Sequence, residues 1–519
     1  MCYHFLDGLT APSEENRGNM SQMPLPLEPV IRNEIPQTAR QGSFSHDAVC
    51  EESARLDLEN KYSHLIEVTE KFSRKTVSFQ ANKVSTLHGW IKYREGFSAQ
   101  LIEILLSEFG IKSGHTILDP FAGSCTALLE AKLSGINAIG VELLPNCHLA
   151  WDAKSRVFDY DLAELRAVRD KIRSLQPPTT GIVFPHLAIT AGAFPERTER
   201  AIVDYAAWFQ GMGLSDDAYL LCQALLMSTL EDVSYTRKDG QYLRWDERAE
   251  KIVQRNISRE ARGKKPMKGI DKGVLPNLKD ALLSRFDVAI RDISEIQLMP
   301  RPTGYQELVK GNALYELPLM EGEVFDAVIT SPPYANRYDY TRTYALELAF
   351  LKVERRIFQL RQEMLSCTVE NKSKRTKLAQ YYETINASDR YQNVMSIVDR
   401  NAALNEIGTA LKTRSDRGEI NNRGVLRMIT QYFTELAFVY AELFRVCKSG
   451  AWVAFVNDNV RYAGEVIPVD MISTNLAEII GFVPKRIYVL HQRKGNSSQQ
   501  MRKFGRRELR KSVTIWQKP

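Results

Sequence analysis

Thr116-Ile117-Leu118-Asp119-Pro120-Phe121-Ala122-Gly123-Ser124-Cys125-Thr126, followed by a helix-like run from Ala127 to Leu133, decides the fold. A short apolar strand enters a small polar loop and then a helix; Gly135 ends the helix, and a second strand, Ala138-Ile139-Gly140-Val141, follows. Strand, loop and helix in this order make half of a doubly wound parallel sheet, whose ligands sit at the strand carboxyl ends. Gly123 permits close approach of the backbone to a ligand at the helix N-terminus. A dinucleotide-binding loop needs G-x-G-x-x-G, and this loop holds one glycine.

Far downstream, the apolar run Val324-Phe325-Asp326-Ala327-Val328-Ile329 delivers Thr330-Ser331-Pro332-Pro333-Tyr334. Two consecutive prolines fix two φ angles and remove two N–H donors, leaving carbonyl acceptors beside one hydroxyl and one aromatic face. The exocyclic amine of a flat base fits that arrangement. Cys-based attack on a base ring requires a Pro-Cys pair near this position, and none is present.

Asp-Pro-Phe-Ala-Gly-Ser-Cys-Thr and Thr-Ser-Pro-Pro-Tyr, in this order, resemble the motifs of the S-adenosylmethionine-dependent amino methyltransferases of DNA, the N4-cytosine and N6-adenine group. The Ser-Pro-Pro-Tyr form leans toward the N4-cytosine branch. The resemblance implies a Rossmann-like α/β fold, a mostly parallel sheet with an antiparallel final strand, carrying helical insertions. It implies S-adenosylmethionine as cofactor and double-stranded DNA as partner, with the target base flipped out of the duplex. Ser331 and the Pro332 carbonyl then accept the two amino hydrogens, Pro333 stiffens the turn, and Tyr334 stacks on the base, so that a methyl passes directly to nitrogen. Asp119 is placed near the methionine ammonium, with Phe121, Gly123, Ser124 and Thr126 lining the loop. Phe97 and Ser98, in Lys92-Tyr93-Arg94-Glu95-Gly96-Phe97-Ser98, lie beside the methionine end; read alone, Ser98 is a helix cap. Glu142 ends the second strand, where a carboxylate accepts from ribose hydroxyls, and Asn312 occupies the place of a contact to the cofactor's adenine. The family usually has glycine where this chain has Cys125, so a positive φ there strains the loop.

The rest of the chain supports a polyanionic partner. Net charge is +6, but residues 1–60 carry ten acidic and four basic side chains, which leaves +12 on the remainder. Eight Lys/Arg between Lys251 and Lys272 face only Glu260 and Asp271; ten between Lys485 and Lys511 face only Glu508. A solvated cationic face is the competing reading of the first cluster. Nucleic-acid contacts are expected from Arg337, Tyr338 and Tyr340 just after the second motif, with core packing as the alternative for the tyrosines. Arg237, Lys238 and Arg244 are expected to contribute from the 151–300 insertion, with a mere hairpin as the alternative, and Arg493 and Lys494 from the C-terminal basic loop. Seven cysteines without a C-x-x-C pair argue against a zinc site and a disulfide framework, and no metal is expected. No apolar run is long enough to span a membrane, and no secretory leader pattern opens the chain, which makes the cytoplasm the expected location.

The expected organisation is an acidic, disordered tail (1–60); a first core segment with the cofactor motifs (61–150); an insertion suited to target recognition (151–300); core with the Ser-Pro-Pro-Tyr motif (301–350); a helical insertion (351–425); and a last core segment with a basic hairpin loop (426–519). Methyl transfer to N6 of adenine, methylation of RNA, and a non-catalytic nucleic-acid-binding module that kept the fold are the competing functions. A companion restriction or defence protein is a further expected partner.

Overall fold

The computed structural model describes residues 40–519 apart from 74, 240–242, 354–355 and 491–500. Arg493 and Lys494 therefore lie outside the described residues, as do 1–39.

Eight strands form the central sheet: β1 (Ile66–Thr69), β2 (Thr116–Asp119), β3 (Asn137–Glu142), β4 (Gln306–Lys310), β5 (Phe325–Thr330), β6 (Cys447–Asp458), β7 (Val483–Leu490) and β8 (Lys511–Gln517). Their order is β1-β7-β8-β6-β5-β2-β3-β4. All neighbours are parallel except β7/β8 and β8/β6, so β8 is the antiparallel strand of a Rossmann-like sheet. All four residues of β2 and five of six in β5 are buried. Covered on both faces, these strands read as continuous apolar runs rather than alternating ones.

Helices cover the sheet. The 23-residue helix Gly424–Val446 packs on helix Val469–Ile480, which lies against β6, β7 and β8. Within 151–300, helices Leu162–Ser174, Glu196–Gly211, Asp216–Val233 and Leu278–Gln297 pack on one another. Helix Asp216–Val233 also packs against helices Pro145–Ser155 and Ala345–Phe350, and the whole group shares the core of the sheet. This stretch is thus physically continuous with the core it interrupts. The hairpin Thr236–Lys238/Leu243–Trp245 and the helix Glu250–Glu260 carry outward basic side chains.

The tail expectation needs correction over residues 40–60. Helix Ser53–Tyr62 packs against helices Ala402–Asp416 and Val469–Ile480. Arg55 is fully buried; its Nε lies 2.6 Å from Glu406 Oε1, and one terminal nitrogen lies 3.1 Å from Glu465 Oε2 and donates to the Val466 carbonyl at 3.0 Å. Glu59, equally buried, pairs with Arg510 and accepts from the Gln41 N–H at 2.9 Å. Charges that read locally as a solvated tail are neutralised by partners hundreds of residues away. β1, which continues this segment as an edge strand on β7, also went unread.

Candidate active site

β2 and β5 are adjacent and parallel, with Ile117 beside Ala327 and Leu118 beside Val328. The two motifs therefore leave neighbouring strand tips, and Thr330 Oγ1 donates to Asp119 Oδ1 at 2.6 Å across them. A cleft opens there. Pro120 through Ser124 and Thr126 form one wall, Val141 through Leu144 a second, and Ser331, Pro333 and Tyr340 a third.

The loop after β2 is built by backbone contacts. The Ala122 N–H donates to the Val141 carbonyl at 3.0 Å, and the Gly123 N–H to Glu142 Oε2 at 2.7 Å. Gly123 has φ +53°, and a Cβ there would sit 2.8 Å from the Tyr93 ring, so both conformation and space require glycine. Cys125 adopts φ 61°, ψ 40° immediately before helix Thr126–Leu133. The left-handed strain expected at Cys125, where the resembled family usually has glycine, is present, at a cost of about 1–2 kcal/mol. The neighbouring Ser124 carbonyl accepts from buried Lys154 at 3.2 Å.

Of the carboxyls around this cleft, burial pushes those of Glu95, Asp119 and Glu142 up to about 7. Glu142 lines the cleft; besides Gly123, its Oε1 accepts from the N–H groups of Leu143 at 2.9 Å and Leu144 at 2.8 Å. Asp119, directly before the lining residues, also accepts from the Phe121 N–H at 3.1 Å, while its Oδ2 is buried with no partner. Glu95 lines the cleft and receives the hydroxyls of Tyr338 and Tyr344.

No protein-family model matches the chain. It is 53% identical over 479 residues to the type II methyltransferase M.BsoBI of Geobacillus stearothermophilus, covering 92% of this chain and 94% of that protein. It is 40% identical over 487 residues to the type II methyltransferase M.AvaI of Nostoc sp. (strain PCC 7120 / SAG 25.82 / UTEX 2576), covering 91% and 95%. The chain belongs to the type II DNA methyltransferases. Its methyl donor is accordingly S-adenosylmethionine and its substrate DNA.

The cleft of this methyltransferase fits that donor. The orphaned Asp119 Oδ2 lacks the hydrogen-bond donor that a methionyl ammonium provides, and Glu142 keeps lone pairs for hydroxyls. Phe97 lines the cleft as expected. Ser98 does not: it is fully buried, its Oγ donating to the Thr76 carbonyl at 2.5 Å and accepting from the Leu101 N–H at 3.4 Å, so it caps helix Ala99–Glu108. Asn312 lines the cleft, but its amide braces the wall. Oδ1 accepts from the Leu314 N–H at 3.0 Å, and Nδ2 donates to the Glu363 carbonyl at 2.6 Å.

At the second motif, Ser331 and Pro333 line the cleft, while Pro332 is buried and Tyr334 stands outside the lining. Ser331 Oγ donates to Tyr334 Oη at 3.1 Å.

The nucleic-acid residues divide. Tyr338 is buried on Glu95, and Tyr340 is buried while lining the cleft, their rings 4.8 Å apart; both follow the core-packing alternative. Arg337, partly exposed with φ 67°, approaches Asn421 Oδ1 at 3.4 Å. Lys238 is withdrawn from any ligand: its ammonium pairs with buried Glu347, lies 3.8 Å from Glu231 and sits 4.6 Å over the Tyr344 ring. Alternation along a strand is the reason, since adjacent Arg237 and Lys238 point to opposite faces. Arg237 and Arg244 are instead cross-strand partners on the exposed face, where Arg244 also pairs with Asp239.

Sequence reading missed several residues of the wall. Tyr93, stacked on Tyr344 at 5.0 Å, and Glu95 lie in a stretch already read, but nothing local marks a carboxyl that ends beneath two tyrosines. Glu363, Met364 and Leu365 come from the 351–425 insertion and carry no signal at all.

Among the described residues, no His/Cys/Asp/Glu group is arranged to hold a metal, and no helix is long and apolar enough to cross a membrane.

Proposed function

We propose that this methyltransferase modifies N4 of cytosine, in a base swung out of the duplex into the cleft at the tips of β2 and β5. The observation that carries the proposal is the Ser331 hydroxyl. Its hydrogen is engaged by Tyr334 Oη, so its lone pairs are the part free to accept from an amino group. With the Pro332 carbonyl as second acceptor, both amino hydrogens are held and the nitrogen is aimed rather than left free to rotate. S-adenosylmethionine supplies the electrophilic methyl on its sulfonium. Asp119 receives its ammonium and Glu142 its ribose hydroxyls; Phe97, Phe121, Gly123, Ser124 and Thr126 shape the cleft around it, and Asn312 with Glu363 closes the far end. The Ser form of the motif favours cytosine over adenine. Direct transfer needs no thiolate, and burial pushes the thiols of Cys125 and Cys147, beside the loop, well above their ordinary range.

DNA is held, in this reading, by Arg237, Arg244 and Arg337 together with the basic helix Glu250–Glu260. Arg237 and Arg244 stand directly opposite each other on the exposed face of the hairpin, with Asp239 beside Arg244. The helix contributes a shallow surface depression lined by Arg255, Arg259, Arg262 and Lys264. Among the described residues, no carboxylate pairs with Arg255, Arg262 or Lys264. The arm is firmly mounted, because Lys272 Nζ donates to the carbonyls of Glu231, Ser234 and Thr236 at 2.6–2.8 Å. A companion restriction protein is part of this reading, and the type II designation of the relatives supports it.

Digestion of enzymatically methylated DNA to nucleosides, followed by mass identification, tests the base. N4-methylcytosine is expected; N6-methyladenine transfers the same geometry to the other base and refutes the cytosine assignment.

A further inference from the structure

Lys511 begins β8 directly opposite Asp458, the last residue of β6, and neither belongs to either sequence motif. The Lys511 ammonium lies 3.3 Å from Asp458 Oδ1, 3.5 Å from Tyr334 Oη and 5.1 Å from the centroid of the Tyr334 ring. The lysine side chain is 16% exposed and the aspartate 25%. A cation held over a ring face and beside its hydroxyl oxygen resists rotation of that ring. The same oxygen is the acceptor of the Ser331 hydroxyl at 3.1 Å.

We propose that Asp458 and Lys511 are a positioning pair for methyl transfer, acting through Tyr334 to hold the Ser331 hydroxyl as an acceptor toward the target amine. This rests on the reading of Ser331 given above. The chain Asp458, Lys511, Tyr334, Ser331 runs from paired strand backbone to the cleft wall, so the polarity of Ser331 is set before a base arrives. Two strands in fixed register anchor the outer end. Without the ammonium, the phenol ring is free to turn, Ser331 loses its acceptor, and its hydroxyl hydrogen no longer points away from the amine. Neither residue lines the cleft, and loss of the pair therefore acts on the chemical step.

The test uses the full-length protein and the double substitution Lys511→Met/Asp458→Asn, which removes both charges together and leaves no buried carboxylate unpaired. A kcat at least tenfold lower is expected, with the KM for DNA and the cofactor Kd within about threefold of the parent. Lys511→Arg restores most of the rate. In a Tyr334→Phe background, which lacks the shared oxygen, the double substitution costs no more than about twofold further. Losses that multiply in full across that cycle overturn the proposal, as does a loss of cofactor binding in the double variant. Ser331→Ala runs alongside: full activity there refutes the reading of Ser331 itself, whereas an inactive Ser331→Ala with multiplicative losses in the cycle refutes only the positioning pair.

Discussion

At the scale of single residues, the cleft concentrates groups in states that water would not favour. Cys125 in the left-handed region gives a direct test. Glycine is favoured over alanine at any N-cap, and the positive φ of Cys125 widens that gap: Cys125→Gly should exceed Cys125→Ala by more than about 1 kcal/mol in chemical denaturation, because only glycine is free of the Cβ penalty. An equal or reversed order contradicts the strain. Three carboxyls around the cleft give a pH signature. Asp119, Glu142 and Glu95 are raised to about 7 by burial, from unfolded values near ~4. From roughly pH 4 to 7 the folded cofactor-free chain therefore binds more protons than the unfolded one, and its stability falls as pH rises, the loss being complete above about 7. An ammonium and hydroxyls brought to these oxygens favour the ionised forms. Cofactor affinity accordingly rises between about pH 6 and 8, with proton release on binding. Calorimetry in buffers of differing ionisation heat measures both, and an affinity that is flat or falls over that window contradicts the assignment.

At the scale of elements, the strands and helices that carry the motifs were legible, because buried parallel strands are short apolar runs punctuated by loop residues. β2, β3, β5 and the C-terminal hairpin all stand where the sequence placed them. Less legible were side chains whose direction depends on a partner strand. Lys238 reads like Arg237 in sequence, yet pairing puts one on Glu347 and the other in solvent. Ser98 reads equally well as ligand and as cap, and the Thr76 carbonyl decides for the cap. The basic arm makes its own prediction. Arg255→Ala, Arg259→Ala and Arg262→Ala combined should weaken DNA binding at moderate salt and lower the slope of log affinity against log salt by up to about 0.9 for each phosphate no longer neutralised. Cofactor affinity should stay unchanged. A salt slope equal to the parent's shows that this helix does not meet the DNA backbone.

At the scale of the whole molecule, two segments that look dispensable in sequence complete the fold. Residues 40–69 supply β1 and the helix whose Arg55 and Glu59 neutralise Glu465, Glu406 and Arg510 deep in the structure. Composition alone could not show this, since a charge is solvated or buried according to partners that sequence distance hides. Arg55→Met leaves buried Glu406 without its cationic partner, while Glu465 keeps Arg414, and a loss of about 3–5 kcal/mol is expected in chemical denaturation; a loss below about 1 kcal/mol contradicts the burial. The 351–425 insertion likewise reaches back to close the cleft with Glu363–Leu365. What sequence did convey was the pairing of two motifs across neighbouring strand tips, and the Thr330 to Asp119 hydrogen bond joins them. That pairing makes Ser331 the decisive residue. Measured side by side, Ser331→Ala should bind S-adenosylmethionine within about twofold of the parent while transferring labelled methyl to DNA at least about a hundredfold more slowly, the scale of removing one preorganised hydrogen-bonding group at a reacting atom. Undiminished methyl transfer by Ser331→Ala contradicts the account.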